Sequence, residues 1–291
     1  MNIIGHKKIV DLLNKSIKSN AFHHAYLFSG SEHVGKFTVA LDFAKNILGD
    51  IAETNPDFII VRPEIEEKDG KTRKKAISVE NMRELQRKLS MTPNGKHKIA
   101  IIDDAEFLNI QSQNAILKTL EEPPKNVIII LVTQNQEKLL PTIVSRCVVK
   151  KFYPVSNEEI SEIIPSTDQS RDEIIFWSLG RPGLALNYIN DKKELDAARE
   201  TLEDFKKIIS GSVAERFSMA EIWSKDTPAL IKKLSLWMVL VRHSIIQEEN
   251  YLEMSAQKSL AVLDRISGAI ETLKSTNANA RLVLENIMLE I

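Results

Sequence analysis

The chain has 291 residues, with 39 Lys or Arg against 40 Asp or Glu, and a formal net charge of -1. That length accommodates two or three compact domains, and 43% hydrophobic against 27% charged residues excludes global disorder. Near-neutrality also excludes overall electrostatics as the force that would bring the chain to nucleic acid or an anionic membrane, so any such surface is local.

A single cysteine, Cys147, forbids an intramolecular disulfide and a Cys-rich zinc site, so the expected compartment is the reducing cytoplasm. The opening stretch MNIIGHKKIVDLLNKSI reads as an amphipathic helix without a continuous apolar run. No later window reaches the roughly 20 apolar residues that span a bilayer. Neither export nor membrane insertion is expected.

In chain order, the first half alternates short β-rich runs with helical patterns. Strands are predicted at Ala25 to Ser29, Phe58 to Val61, Lys98 to Asp103, Val127 to Thr133 and Val148 to Phe152. Consecutive Ile and Val, as in Val127 to Val132, are what a sheet buried on both faces requires, which indicates a parallel α/β sheet. The segment RPEIEEKDGKTRKKA after the second strand is charged, and its basic cluster Lys71 to Lys75 reads as a solvated hairpin or loop. After Phe152, YPVSNEEI is a domain joint: Pro154 stops the strand, and Ser156 or Asn157 caps a helix whose Glu158 and Glu159 suit its positive end. The second half is helical nearly throughout, with polar breaks at SKDTP and KSTNANA; repeats and low-complexity segments are not found.

Directly after the first strand, Gly30 to Lys36 match G-x-x-x-x-G-K. Such a loop aims backbone N–H groups at phosphate oxygens, with a helix N-terminus behind them and a lysine reaching the outer phosphates. Gly30, Gly35 and Lys36 fill those positions, but Phe37 stands where Ser or Thr would bind Mg²⁺, and Thr38 is about 100° further round the helix. The alternative is a glycine turn with an incidental lysine.

The strand KIAII ends in Asp103 and Asp104, where phosphoryl transfer wants a metal-organising carboxylate and a water-activating one. Asp103 suits the first role, whereas Asp104 lacks the reach of Glu for the second. Glu106 is expected to point elsewhere. Acidic caps of the following helix are an equal alternative. The isolated histidines His24, His33 and His97 lack metal partners at usable spacing, and Trp177, Trp223 and Trp237 read as core.

The stretches SQNAILKTLEEPP, Ser112 to Pro124, and LVTQNQEKLLPTIVSRC, Leu131 to Cys147, resemble the clamp-loader branch of the AAA+ ATPases. HHAYLFSG, NPDF, ISVENMREL and NANARLVLENIMLEI are similar to it as well, so the resemblance covers essentially the whole chain. It implies a RecA-like AAA+ α/β module at 1–153, a small helical lid at 154–193 and an all-α collar domain at 194–291. The implied assembly is a five-subunit bacterial DNA polymerase III clamp loader, which closes a sliding clamp around primed DNA. Implied partners are a gamma/tau-like ATPase, a delta subunit, the sliding clamp, and primed DNA through its backbone.

In that family the Ser-Arg-Cys motif supplies an arginine in trans to a neighbour's ATP site; Ser145, Arg146 and Cys147 match it, with Arg146 as the finger. A planar, always charged guanidinium suits that task, and a carboxylate partner for Arg146 is the bland alternative. Cys147 enters an apolar run and is expected to be a packed thiol. The resemblance adds Thr133 to the degenerate nucleotide-binding set Gly30, Gly35, Lys36, Asp103 and Asp104, and it places Gln113 and Asn114 near DNA, with the amides of Gln111 and Ser112. Gly183, in GRPGLALN, occupies the position of the family's γ-phosphate-sensing arginine, with Arg181 two residues displaced. Many relatives carry a four-cysteine zinc module where only Gly49 to Asn55 stands here, so no metal is expected. ATP or ADP is expected to bind weakly at most. The favoured expectation is a non-hydrolysing stator; the alternatives are an ATP-hydrolysing motor subunit of the same complex and, with less in its favour, an unrelated P-loop kinase.

Overall fold

The computed structural model describes residues 3–49, 51–52, 54–68, 71–246, 254–276 and 278–291. The chain divides into two compact units, one running to Pro165 and including Gly180–Leu184, the other comprising Ser166–Leu179 and Ala185–Ile291.

The first unit is built on a five-stranded sheet. Its strands are β1 (Ala25–Ser29), β2 (Phe58–Val61), β5 (Lys98–Ile102), β6 (Val127–Thr133) and β7 (Val148–Lys151), arranged β2-β5-β6-β1-β7 and all parallel. Two strands stop one residue short of the expected ends. Asp103 N–H still donates to Val61 O and Phe152 N–H to Ser29 O, but the chain turns away immediately afterwards.

Alternation along the strands sorts the apolar side chains onto two faces. Leu27, Ala100, Ile102, Ile129 and Leu131 pack on α3 (Val79–Ser90) and α4 (Ile110–Glu121) through Met82, Leu85, Leu89, Ile116 and Leu120. Tyr26, Phe28, Ile99, Ile101, Ile128 and Ile130 face Leu13 of α1 (Lys7–Ser19) and Val39, Ala40 and Phe43 of α2 (Lys36–Leu48). Covered on both sides, β6 is buried at every position, which explains its unbroken run of aliphatic residues.

Local sequence sets the element ends. Ser78 and Asn81 close a capping box at the start of α3, Asn109 caps α4 through the Ser112 amide, and Ser156 rather than Asn157 caps the joint helix with Glu159. The charged segment after β2 forms a hairpin, β3 (Ile65–Lys68) with β4 (Lys71–Lys74), pairing Ile65 with Lys74. In NPDF, Asp57 is 4% exposed, accepts the Asn94 and Gly95 amides, and lies 3.9 Å from buried Lys98; this acid staples the ends of β2 and β5.

The second unit is helical, with long helices at Lys192–Ser210, Val213–Trp223, Thr227–Ile246, Ala256–Ser275 and Ala280–Glu290. Trp177 and Trp237 are buried as expected, and Trp223 stacks edge-on against Trp237 at 5.7 Å. Among the described residues no helix is long and apolar enough to cross a membrane.

Candidate functional site

The sheet topology gathers one group of site residues at the C-terminal ends of the strands. Gly30 follows β1, Asp103 and Asp104 follow β5, and Thr133 ends β6. The loop between β1 and α2 needs both glycines of its G-x-x-x-x-G-K pattern. A side chain at Gly30 would put a Cβ 2.3 Å from Phe152 O, and Gly35 has φ +99°, a conformation that penalises any L side chain. Gly35 also serves as N-cap of α2 without a side-chain cap, so the first amides of that helix are left for another acceptor.

The side chains around this backbone are committed to one another. Lys36 is 6% exposed, and its Nζ donates to Gly30 O at 2.8 Å and Ser31 O at 2.7 Å. Burial lowers its pKa, against the raising influence of Glu106, Glu32, Asp103 and Asp104. Phe37 packs into the core beneath α2, with the Arg62 guanidinium 5.0 Å above its ring. The same guanidinium lies 3.9 Å from Asp103, and the Lys74 ammonium bonds Asp104 at 2.5 Å. Burial raises the Asp103 pKa, as does the charge of Asp104, while Arg62 and Lys74 pull it down.

One expectation changes here. Glu106 does not point elsewhere: its carboxylate accepts the Thr133 hydroxyl at 2.9 Å and approaches the Gln134 amide. Asp104 adopts a left-handed conformation, φ 51°, and a 3₁₀ turn over Ala105–Phe107 swings Glu106 back toward the site. The basic cluster forms the expected hairpin, and Lys74, still 38% exposed, is the member whose side chain reaches Asp104. Its pKa is raised: burial lowers it, but the Asp104 hydrogen bond and charge outweigh that. Composition marked the cluster as basic, but only the antiparallel register singles out Lys74.

The segment Gly180–Leu184, part of the same unit, also meets the loop. The Gly183 N–H donates to His33 O at 2.9 Å, and a Cβ at Gly183 would stand 3.1 Å from that oxygen. His6, absent from the expected site, donates from Nε2 to Val34 O at 2.7 Å and stacks edge-on against Phe152. Burial lowers its pKa, with the Val34 bond and Glu159 opposing.

A Mg²⁺–nucleotide does not fit these side chains. The position for a metal-binding hydroxyl holds an aromatic ring, and each aspartate has a cation against it. Among the described residues no group of three or more His, Cys, Asp or Glu side chains is placed to hold a metal ion.

The remaining residues lie elsewhere. Arg146 precedes β7, at the N-terminal end of the sheet. With Ser29 opposite Lys151 and Tyr26 opposite Val148, it is separated from its own phosphate loop by roughly 15 Å of strand. Its Nη2 donates to Glu121 Oε1 at 2.6 Å and its Nη1 to Thr142 O at 2.8 Å, while the side chain stays 32% exposed. Glu121, at the end of α4, is the partner that a pattern of LEEPP alone does not reveal. Neighbouring Cys147 is packed against the core, and burial pushes its thiol pKa up to about 12.

Gln113 is not a surface donor. It is 4% exposed, donates to Leu108 O and Lys138 O, and accepts the Leu140 amide, so the turn before α5 (Pro141–Val144) hangs on it. The Ser112 amide is likewise taken by Asn109. Asn114 remains exposed.

With this geometry, a family model described as DNA polymerase III, delta subunit matches residues 5–156. The chain belongs to the DNA polymerase III clamp-loader family of AAA+ proteins. It is 37% identical to the DNA polymerase III subunit gamma of Buchnera aphidicola from Schizaphis graminum, over 91% of this chain and 70% of that protein. It is 27% identical to the DNA polymerase III subunit delta' of Pseudomonas aeruginosa, over 86% of this chain and 81% of the relative. A crystal structure of a gamma subunit-related protein from Thermotoga maritima shares the fold, with TM-score 0.51, 22% identity, and coverage of 96% and 97% of the two chains. Clamp-loader relatives thus include both the gamma and the delta' kinds.

Proposed function

We propose that the chain is a delta-prime-like stator subunit of a DNA polymerase III clamp loader, which donates Arg146 to the ATP site of a neighbouring gamma/tau-like subunit and does not hydrolyse ATP itself. The observation that carries this reading is the placement of Arg146 at the end of the parallel sheet opposite its own loop, where it is half-exposed and cannot serve that loop. A guanidinium in such a place can stabilise charge on a transferring phosphoryl group only across an interface. The side chains of the chain's own corner supply the complementary support, since Phe37 stands at the position of the metal-binding hydroxyl and a cation lies against each aspartate.

The same reading gives the second unit the role of a collar. Val213, Ile222, Leu260, Leu282 and Leu289 are each more than half exposed on its helices, a density of surface apolar residues that suits packing against other subunits. Primed DNA would be met by the outer face of α4 at Asn114 and the amide of Gln111, through backbone contacts that position without reading sequence. The functional domains proposed remain 1–153, 154–193 and 194–291. ATPase assays on the purified chain and on the complex with Arg146→Ala test the proposal. No turnover by the chain alone and loss of turnover in the complex are expected; turnover abolished by Lys36→Ala in the isolated chain would reject it in favour of a motor subunit.

A further inference from the structure

The missing hydroxyl at Phe37 explains why one magnesium ligand is lost, but it leaves two aspartates at the end of β5 with no evident use. Buried carboxylates near one another repel and are costly without compensating charge. The compensation comes from two residues outside any nucleotide-binding pattern. Arg62, the first residue after β2, spans the ring of Phe37 at 5.0 Å and the Asp103 carboxylate at 3.9 Å. Lys74, the last residue of β4, bonds Asp104 at 2.5 Å while its ammonium stands 5.6 Å over the Phe107 ring.

We propose that Arg62 and Lys74 are resident cations that take the place of Mg²⁺ at Asp103 and Asp104, and that the β3–β4 hairpin is the strap that holds one of them there. This rests on the reading of the corner as non-hydrolysing. Three observations support it. A cation stands against each aspartate, Lys74 bonded to Asp104 and Arg62 3.9 Å from Asp103, which offsets the field that would draw a divalent ion to the pair. Magnesium demands near-ideal octahedral geometry and gives up its waters reluctantly, a requirement that carboxylates already engaged by ammonium and guanidinium groups do not meet. Finally, Phe37 is a functioning part of the arrangement, since its ring forms the face on which Arg62 rests on its way to Asp103.

The hairpin follows from the same logic. Its base is closed by the Lys75 N–H to Glu64 O bond at 2.8 Å, and its register sets Lys74 opposite Ile65. A one-residue slip would turn Lys74 to the other face of the ribbon and leave Asp104 unpaired. The basic cluster in this segment is therefore positional: one member neutralises an acid inside the site.

The consequence is that restoring the hydroxyl alone does not restore a metal site. The test is a titration of the full chain with Mn²⁺ alone, followed by electron paramagnetic resonance. It compares wild type, Phe37→Thr, Arg62→Ala/Lys74→Gln, and the triple variant that combines all three changes, with thermal unfolding to confirm that each is folded. Wild type and Phe37→Thr are expected to bind Mn²⁺ no better than a control protein, and the triple variant at least about tenfold more tightly. Lys74→Gln keeps an amide donor for Asp104 but removes the charge, so a folded fold-preserving variant is available even if truncation to Ala is not tolerated.

Tight Mn²⁺ binding by Phe37→Thr alone would overturn the proposal, because the hydroxyl would then be the whole defect. A folded triple variant that binds no better than Phe37→Thr would overturn it as well. ATPase activity of the wild-type chain is a separate readout: turnover there rejects the stator reading, whereas the Mn²⁺ comparison among variants stands or falls by itself.

Discussion

Two corners of the α/β unit, at opposite ends of one sheet, carry the charged candidate residues, and they treat those charges in opposite ways. At the C-terminal ends of the strands Lys36, Asp103 and Asp104 are partly or fully buried and paired inside the unit. At the N-terminal ends Arg146 is held by one exposed carboxylate and one carbonyl, an arrangement that a stronger anion can replace. Exposed ion pairs contribute at most about 1 kcal/mol, so releasing Arg146 from Glu121 costs little. The lesson is that one sheet can lock the charges of one family motif into its own packing and leave those of another within reach of solvent.

Substitutions should therefore separate: those in the first corner move stability, those in the second move activity. The largest effect expected is on Arg146→Ala in the reconstituted complex, where ATP hydrolysis at the facing site should fall by about 10³-fold or more with the unfolding temperature of the subunit nearly unchanged. Intact ATPase activity would break the comparison. Next to it, Cys147 should behave like the interior. With its pKa pushed up to about 12, the native thiol should react with a maleimide at pH 8 roughly 10³-fold more slowly than in the unfolded chain, measured by labelling with and without urea. Equal rates would show that the second corner is open beyond Arg146.

In the first corner, Gly30→Ala should destabilise by about 1–3 kcal/mol in urea unfolding, because its Cβ would meet Phe152 O at 2.3 Å and the backbone must shift. Activity of the complex should follow only in proportion to folded subunit. A smaller effect concerns pH. The folded pKa of His6 lies below its ordinary value because of burial, so the unfolded chain takes up the proton first. Its contribution is complete above about pH 6.5 and is lost as pH falls through the folded value; His33, His97 and His243 shift in the same direction. Unfolding temperature should drop from pH 7 to pH 5, and His6→Gln should flatten part of the slope. The smallest stability effect is expected for Glu121→Gln, below about 1 kcal/mol, while the complex should need less ATP for half-maximal rate because Arg146 is no longer held back. An unchanged half-saturation would remove the parking role of Glu121.

Much of the fold was legible because it depends on patterns that short segments carry by themselves. The aliphatic run Val127 to Val132 marks a strand covered on both faces, and Ser156 or Asn157 after Pro154 announces a helix start that Ser156 caps. The glycine loop after the first strand and the Phe37 that follows Lys36 were legible too, since both are consecutive residues. What failed depended on where a side chain points. The resemblance placed Gln113 near DNA, yet Leu108 O before α4 and two backbone groups of the turn before α5, Lys138 O and the Leu140 N–H, claim its side chain. Glu106 was expected to face away, but one left-handed residue at Asp104 reverses the direction of the turn.

By itself, then, the sequence determined a parallel α/β unit with a G-x-x-x-x-G-K loop followed by Phe37, a helical second half, and an arginine in a Ser-Arg-Cys motif. These are local properties, fixed by periodicity, by the special conformations of glycine and by which atoms a side chain possesses. Only the tertiary structure decided that Arg62 and Lys74 neutralise the two aspartates, that Glu121 holds the arginine, and that the arginine and the loop lie at opposite ends of the sheet. Those facts join residues far apart in the chain, Lys74 with Asp104 and Glu121 with Arg146, and charge pairing at that range depends on strand order and hairpin register, which no single segment encodes.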